Sequence, residues 1–209
     1  MINLYNTDCM KFMADKPDNF YDLAIIDPPY GIGMDGGRLG KGVALVKKNW
    51  DSGIPDDRYF SELFRVSKNQ IIWGGNYFGV LWPCRGFIVW DKRQWDIPSR
   101  TFADSELAWT SFDINAKTFR FVWDGFQKGS ESGTTKIHPT QKAVKLYEWL
   151  LLNYAKEGDK ILDTHGGSGS ICIACHNLGF DLDWCELDQD YFEAAKNRFE
   201  WHKAQLTLF

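Results

Sequence analysis

The tetrapeptide Asp27-Pro28-Pro29-Tyr30 is the feature of this sequence best suited to chemistry, and it directly follows the apolar run 23–26. A short buried strand would carry the Asp27 carboxylate to its carboxyl end, where two prolines stop the strand from continuing. The residue before a proline is held extended, so the Pro28 carbonyl is rigid and has no strand partner. Two acceptors beside the Tyr30 ring suit a flat ring with an exocyclic amino group. An ordinary turn is the alternative, because Asp and Pro are common in turns.

A second group of residues reads as strand, glycine-rich turn, helix and strand between positions 158 and 190. The first strand ends at Asp163, the turn contains Gly166, Gly167 and Gly169, and Glu186 closes the second strand. Glycines let the backbone turn tightly and approach a ligand, and the helix N-terminus offers unpaired N–H groups. An acidic residue at the end of the second strand is placed to bind ribose hydroxyls. This pattern predicts a nucleoside-cofactor site.

The cofactor favoured by this turn is S-adenosylmethionine rather than NAD. Cys172 stands where the dinucleotide fingerprint requires its third glycine. A carboxylate at the strand tip, Asp163, gains nothing from a pyrophosphate but attracts an ammonium or sulfonium group. An NAD oxidoreductase would also leave the 27–30 tetrapeptide unexplained.

The order of the two groups resembles the β class of DNA amino-methyltransferases, in which Asp-Pro-Pro-Tyr precedes the cofactor turn. Residues 138–142, His-Pro-Thr-Gln-Lys, resemble the family's segment before the cofactor strand, and residues 6–9, Asn-Thr-Asp-Cys, resemble its third cofactor segment. Residues 186–195 resemble its second acidic strand and helix. The resemblance covers the whole chain and is loosest between 31 and 60. Two departures are Thr164-His165 where Pro-Phe is usual, and Ala143 where proline is usual.

The resemblance implies a role for each matching residue. The implied catalytic residues are Asp27, Pro28, Pro29 and Tyr30. The implied cofactor-binding residues are Asp8, Cys9, Asp27, Lys142, Asp163, Thr164, His165, Gly166, Gly167, Ser168, Gly169, Glu186 and Leu187, with no metal. The departures leave the roles of Thr164 and His165 open.

The implied reaction is transfer of a methyl group from S-adenosylmethionine to the N6 amino group of adenine in DNA, after the base leaves the duplex. Asp27 in the first motif position favours adenine, because cytosine-N4 enzymes of the family more often carry serine there. Cytosine N4 is the close alternative. An RNA adenine methylase is less favoured because those enzymes tend to carry tryptophan in place of Tyr30, and a non-catalytic binding protein would not need the intact acidic residues.

The apolar runs predict an α/β, three-layer, Rossmann-like fold with a mostly parallel sheet. The resemblance implies seven strands with an antiparallel edge, which we place at 106–123. Strands are predicted near 2–5, 22–26, 70–73, 86–90, 106–110, 118–123, 160–163 and 182–185. Helices are predicted near 56–67, 140–156, 170–178 and 189–204. Trp73 and Trp90, near strand ends, are candidates for stacking on a base.

At 209 residues the chain is expected to form one domain, 1–209, with a net charge of −4. Positive charge is concentrated between the motifs, because residues 31–145 contain 17 Lys and Arg against 12 Asp and Glu. A minimal target-recognition region is therefore expected within 31–60 and 124–136, acting on double-stranded DNA. The candidate DNA-binding residues are Arg38, Lys41, Lys47, Lys48, Lys92 and Arg93. A monomer or homodimer is expected.

Five cysteines without framework spacing favour a reducing compartment. No secretory signal or membrane-spanning run is visible, so we expect a cytoplasmic protein, and the resemblance implies a prokaryotic or phage-encoded enzyme linked to restriction–modification. The run Cys172-Ile-Ala-Cys175-His176 spells a haem-attachment pattern, but it falls inside the helix after the cofactor turn. Burial against the sheet is the preferred explanation.

Overall fold

The computed structural model describes residues 1–36, 46–93, 103–123, 128–131 and 135–206. Within these residues eight strands form one sheet, and helices cover both of its faces. The strands are β1 Ile2–Asn6, β2 Tyr21–Ile26, β3 Ser67–Trp73, β4 Phe87–Asp91, β5 Ser105–Thr110, β6 Lys117–Arg120, β7 Lys160–Asp163 and β8 Asp181–Glu186. The helices are α1 Cys9–Ala14, α2 Asp57–Val66, α3 Val144–Tyr154, α4 Ser170–Leu178 and α5 Gln189–Leu206.

The sheet has the order β1-β8-β7-β2-β3-β5-β4-β6. Strands β1, β8, β7, β2 and β3 are all parallel, so their carboxyl ends meet at one edge. Strand β5 runs antiparallel to both β3 and β4, and β6 is parallel to β4. The three-layer α/β class with a mostly parallel sheet is therefore confirmed.

The antiparallel part of the sheet differs from the prediction in two details. Eight strands are found in the described residues where seven were expected, and the reversed strand β5 lies inside the sheet rather than at its edge. Strands β5 and β6, expected to pair with each other, instead pair on opposite sides of β4. Neighbouring strands in sequence do not reveal this, because a strand's partners depend on long-range packing.

The two faces of the sheet bury separate apolar clusters. On one face α3, α4 and α5 pack on side chains such as Leu23 and Ile161; on the other, α1 and α2 pack on Ala24 and Ile26. This alternation follows from the period of two along β2, which sends successive side chains to opposite faces. A strand buried on both sides is therefore apolar throughout, as the run 23–26 is. No helix in the described residues is long and apolar enough to cross a bilayer.

Two predictions about the interior need correction. Trp73 and Trp90 are fully buried and pack edge-to-face at 6.3 Å between ring centroids, so neither ring is available to a base. Helix α3 begins at Val144 rather than near 140, because Ala143 is extended, with φ −70° and ψ 142°. Residues 138–142 consequently form a loop, which brings Lys142 to the carboxyl edge of the sheet.

Candidate active site

The two sequence groups meet at the carboxyl edge of adjacent strands. Strand β2 pairs with β7 through Leu23 opposite Ile161, and β7 pairs with β8 through Asp163 opposite Trp184. Asp27 follows β2, Asp163 ends β7, and Glu186 ends β8, so the three carboxylates line one edge. The chain turns in opposite directions from β2 and from β7, and such switch points are where open α/β sheets bind ligands.

Asp27 is held by two donors from different parts of the chain. The Tyr30 hydroxyl donates to Oδ1 at 2.5 Å, and the Lys142 ammonium donates to Oδ2 at 2.7 Å. Burial raises the pKa of the Asp27 carboxyl, although Lys142 opposes this. In the described part of the chain no hydrogen bond is formed to the carbonyl of Pro28. Each carboxylate oxygen has two lone pairs, so Asp27 keeps capacity for a further donor.

A buried row of alternating charges extends from Asp27. Lys142, which is 3% exposed, also contacts Glu106 Oε2 at 2.9 Å, and Lys92 contacts Glu106 Oε1 at 2.7 Å. Burial alone would lower the pKa of the Lys142 amine, but Asp27 and Glu106 outweigh it and raise that pKa. Burial would raise the pKa of Glu106, yet Lys142 and Lys92 hold it at about 2. Lys142 and Glu106 are therefore expected to be charged at neutral pH.

Glu106 was missed by sequence reasoning. It lies at the start of β5, and because β5 is antiparallel to β3 its first residues reach the carboxyl edge of the parallel strands. Nothing in the local sequence marks a single acidic residue at the start of a strand. Only the pairing of β5 with β3 places it beside Lys142.

The Tyr30 ring lies against the chain that follows β3. It stacks on Tyr77 with centroids 5.0 Å apart and planes 14° apart, and it contacts the α-carbon of Gly74 so closely that an added Cβ would lie 2.1 Å from Tyr30 Cε1. Gly74 also has a φ of +71°, which L side chains rarely adopt. One face of Tyr30 is thus fixed by the protein.

Gly74→Ala is expected to lower methylation of DNA at least a hundredfold, because the new methyl group displaces the Tyr30 ring. Cofactor affinity should stay within about threefold, since the substitution leaves the glycine turn after β7 unchanged. Steady-state kinetics and calorimetric titration measure the two effects. Gly79→Ala is the matched control: no atom lies within 4 Å of its added Cβ, and it should retain full activity. Equal activities of the two variants would contradict the assignment of Tyr30.

The glycine turn after β7 is shaped by close contacts. A Cβ on Gly166 would lie 1.9 Å from Trp184, and Gly167 and Gly169 have φ of +52° and +67°. Glu186 holds the turn, because its Oε2 accepts the Gly167 N–H at 2.7 Å and its Oε1 accepts the Asp188 N–H at 2.8 Å. These glycines are therefore required by geometry.

Asp163 is the most desolvated acid of the site. It is 2% exposed and accepts a hydrogen bond from the backbone N–H of His165 at 3.0 Å. Burial raises the pKa of Asp163 to about 8. Burial also lowers the pKa of His165 to about 4, so its ring is neutral. A buried carboxyl group that is protonated becomes an anion when a cationic ligand binds beside it.

Other residues implied by the resemblance have structural partners here. Thr164 bonds the hydroxyl of Tyr59 in α2 at 2.6 Å, and Ser168 bonds Ser170 at 3.1 Å. Asp8 caps α1 by accepting the Lys11 N–H at 3.0 Å.

Cys9 and Leu187 complete the set of implied cofactor residues. Cys9 begins α1 and is partly buried, and burial raises the pKa of its thiol to about 12. Leu187 is 70% exposed. Asp8 and Cys9 lie just beyond β1, whose last residue Asn6 pairs with Glu186 of β8. Both residues therefore stand at the same edge as the glycine turn.

The candidate DNA-binding residues separate into three groups. Lys48 and Lys92 form ion pairs within the chain, with Asp188 and Glu106 respectively, and their role toward DNA stays a prediction. Lys47 is exposed, and Arg93 is 57% exposed beside Asp91. The remaining two, Arg38 and Lys41, lie outside the described residues, as do positions 124–127 and 132–134 of the expected recognition region.

The haem-like pattern has a structural explanation. Cys172 and Cys175 are buried and free within α4, where they pack against the sheet. Among the residues that the structure describes, no group of three His, Cys, Asp or Glu side chains is arranged to hold a metal ion.

The sheet order, the glycine turn and the acidic edge place this protein in the class of Rossmann-like methyltransferase folds. Comparison with protein families gives the more specific assignment, because the family described as DNA methylases matches residues 91–197, just over half of the 209 residues. The chain belongs to this DNA methylase family.

Two curated relatives support this assignment over nearly the whole chain. Type II methyltransferase M2.DpnII of Streptococcus pneumoniae is 26% identical over 241 residues, covering 94% of this chain and 89% of the relative. Type II methyltransferase M.HpaI of Haemophilus parainfluenzae is 24% identical over 232 residues, covering 93% of this chain and 73% of the relative.

Solved structures share the fold. The M1.HpyAVI–SAM complex matches with a TM-score of 0.65 and 22% identity, covering 95% of this chain and all of that one. The cytosine-N4-specific PvuII DNA methyltransferase matches with a TM-score of 0.64 and 15% identity, covering 95% of this chain and 86% of that one.

Proposed function

We propose that this protein transfers a methyl group from S-adenosylmethionine to the N6 amino group of adenine in double-stranded DNA. The observation that carries the proposal is the position of Asp27 and Tyr30 at the sheet edge next to the glycine turn. An amino group held by Asp27 would lie close to a cofactor held by the turn after β7.

S-adenosylmethionine is the cofactor, and the residues present fit it. The tight turn at Gly166 and Gly167 depends on glycine, because Trp184 fills the space of a Cβ on Gly166 and Gly167 has a φ of +52°. The desolvated Asp163 carboxyl suits the cofactor's ammonium group, and Glu186 closes β8 where ribose hydroxyls are bound in such folds. When bound, the cofactor supplies an electrophilic methyl group on a positively charged sulfur.

The chain's own residues make the target nitrogen reactive. The lone pair of an adenine amino group is delocalised into the ring, so the nitrogen is a poor nucleophile. Asp27 and the Pro28 carbonyl accept hydrogen bonds from its two N–H groups. This favours a pyramidal nitrogen whose lone pair is no longer delocalised into the ring. Tyr30 stacks on the displaced base and fixes its orientation. Most of the rate enhancement then comes from alignment and electrostatics.

Adenine N6 is preferred over cytosine N4 because of the aspartate at position 27. Cytosine N4 is the second candidate, and the fold shared with a cytosine-N4-specific enzyme supports keeping it. The mechanism is the same for either base, since both carry an exocyclic amino group on a flat ring.

The deciding experiment is to incubate the protein with unmethylated DNA and S-adenosylmethionine, digest the DNA and identify the nucleosides by mass spectrometry. N6-methyladenine is the expected product. Detection of N4-methylcytosine would instead make cytosine the target base. Absence of both, with the cofactor bound, would overturn the proposed activity. Single-stranded DNA and RNA of the same sequence are matched substrates for the strand preference.

Cofactor affinity is expected to depend on the ionisation of Asp163. In the free protein its pKa is about 8, so a proton must leave when a cationic ligand binds at pH 7. Affinity should therefore rise about tenfold for each pH unit between 6 and 8 and level off above 8.

Asp163→Asn isolates this effect, because titration of the cofactor's own amino group is common to both proteins. The ratio of the two dissociation constants, measured calorimetrically across pH 6–9, should change about tenfold per unit below pH 8. A constant ratio would contradict the assignment of Asp163 to the ammonium group.

Both curated relatives come from bacteria. This supports a prokaryotic or phage-infected cytoplasm as the place of action.

A further inference from the structure

Residues 46–51, called the strap below, connect the cofactor side of the site to the backbone of Tyr30. The strap carries Lys48, Trp50 and, at its last position, Asp51. None of these residues belongs to the motifs of the methylase. Each nevertheless makes a specific contact with a motif residue or with a residue next to a motif.

Asp51 anchors the residues that follow the catalytic tetrapeptide. It is 2% exposed, its Oδ1 accepts the N–H groups of Tyr30 and Gly31 at 2.8 Å each, and its Oδ2 accepts that of Met34 at 2.7 Å. Hydrogen bonds to an ionised carboxylate are stronger than those between neutral groups. One side chain therefore sets the backbone of Tyr30 and the direction of the chain beyond it.

Lys48 binds the strap to the cofactor side. Its ammonium donates to both oxygens of Asp188 at 2.6 Å and to Asp190 at 2.7 Å, and it lies 4.7 Å from the centre of the Tyr191 ring. The backbone N–H of Asp188 in turn donates to Glu186, the residue expected at the cofactor ribose. A short chain of contacts thus leads from Glu186 to the strap.

Trp50 packs the middle of the strap on the same wall. Its ring stacks on His138 at 5.1 Å with planes 29° apart, and His138 meets the Tyr191 ring edge-on at 4.4 Å. Burial lowers the pKa of His138 to about 3, so the ring stacks as a neutral group. The strap is consequently held at three places within six residues.

We propose that the strap positions Tyr30 for methyl transfer, with Asp51 as the positioning residue and Lys48 and Trp50 as its attachment to the cofactor wall. Cofactor binding against Glu186 then orders the Tyr30 backbone before the target base arrives. The inference rests on the proposed function, because Tyr30 is taken as the partner of the displaced base. Asp51 touches no reacting atom and acts only through Tyr30.

Hydrogen exchange of the backbone amides tests the anchor directly. The amides of Tyr30, Gly31 and Met34 should exchange slowly in the wild type and at least tenfold faster in Asp51→Ala, because their acceptor is removed. Asp56→Ala is the matched control. Asp56 also accepts a backbone N–H, from Tyr59, but at the start of α2, so its loss should leave residues 30–34 unchanged. If the amides of residues 30–34 exchange as slowly in Asp51→Ala as in the wild type, the proposal is overturned.

Lys48→Met tests the attachment to the cofactor wall, because it removes the ammonium that contacts Asp188, Asp190 and the Tyr191 ring. In the wild type, S-adenosylmethionine should slow exchange at Tyr30 and Gly31 by at least threefold. In Lys48→Met that slowing should disappear, while the cofactor still binds. Equal slowing in both proteins would show that the strap does not connect the two sites.

Kinetics distinguish a positioning role from a merely structural one. Asp51→Asn keeps an oxygen for Tyr30 and Gly31, and should retain more activity than Asp51→Ala, whose kcat/KM for DNA should fall at least thirtyfold. Cofactor affinity should change less than threefold, and the fluorescence gain of 2-aminopurine at the target position should be lost in Asp51→Ala. Equal losses in cofactor affinity and turnover would overturn the proposal. If the wild type methylates no DNA, the proposed function fails, and amide exchange still decides whether the strap orders Tyr30.

Discussion

Replacing Asp27 by alanine is expected to lower kcat for DNA methylation by about a thousandfold, the range found when one preorganised transition-state contact is removed. In the proposed mechanism Asp27 accepts a hydrogen bond from the target amino group and so frees the nitrogen's lone pair. The affinity for S-adenosylmethionine should change less than threefold, because the glycine turn and Glu186 are untouched. Single-turnover kinetics and calorimetric titration measure the two quantities.

The matched variant is Asp27→Asn, which keeps the size of the side chain and one acceptor oxygen. It should be less impaired than alanine, by about tenfold to a hundredfold in kcat, since one hydrogen bond to the amino group can still form. Folding should survive in both variants, because Lys142 keeps its contact with Glu106. Turnover of Asp27→Ala within tenfold of the wild type would remove Asp27 from the mechanism.

Lys142→Met is expected to destabilise the protein by about 3 kcal/mol and to lower methylation at least a hundredfold. The ammonium lies between two carboxylates, and removing one member of a buried ion pair leaves the other charges uncompensated. The remaining carboxylates, Asp27 and Glu106, would then repel each other at low exposure. Chemical unfolding and steady-state kinetics measure the two losses.

The pH dependence of the Lys142 variant follows from the same charges. Burial raises the pKa of the Asp27 carboxyl, and the nearby Lys142 ammonium opposes this rise. Removing the ammonium should therefore raise the pKa of Asp27 further. If ionised Asp27 is the active form, the pH at which activity reaches half of its maximum should be higher for Lys142→Met than for the wild type. Glu106 makes the free energy of unfolding depend on pH in the acid range, because its pKa is about 2 in the folded protein against the usual 4.5. The stability that ionised Glu106 contributes is complete above pH 4.5 and is lost as the pH falls toward 2. This loss of stability between pH 4.5 and 2 should be smaller in Lys142→Met.

A double variant separates the ion pair from simple loss of packing. Asp27→Asn with Lys142→Met removes one carboxylate and the ammonium together, and the pair between Glu106 and Lys92 remains. The double variant should be more stable than Lys142→Met alone, although it should be less active. An additive loss of stability would show that the charges of Asp27 and Lys142 do not interact, contrary to the 2.7 Å contact.

The Asp27–Tyr30 tetrapeptide and the glycine turn could be recognised from the sequence because each is a local pattern with a local cause. Proline fixes the backbone next to Asp27, and the glycines near Gly166 are required where the chain folds sharply. Apolar runs likewise predicted the strands that carry these motifs, with bounds correct to within a few residues. Trp73 and Trp90 were misassigned because burial in a core and stacking on a ligand select the same aromatic residues.

Tertiary structure alone decided which side chains surround those motifs. Glu106 reaches Lys142 only because β5 is inserted antiparallel between β3 and β4. Lys48 and Lys92 pair with Asp188 and Glu106, acids that the fold brings near them. Asp51 holds the Tyr30 backbone across 21 positions of sequence. The sequence by itself predicted the class of chemistry and the elements that carry the motifs, since these depend on neighbouring residues. Ion pairs and anchoring hydrogen bonds were decided by the folded structure, because a charged side chain can pair with any opposite charge that the fold brings near.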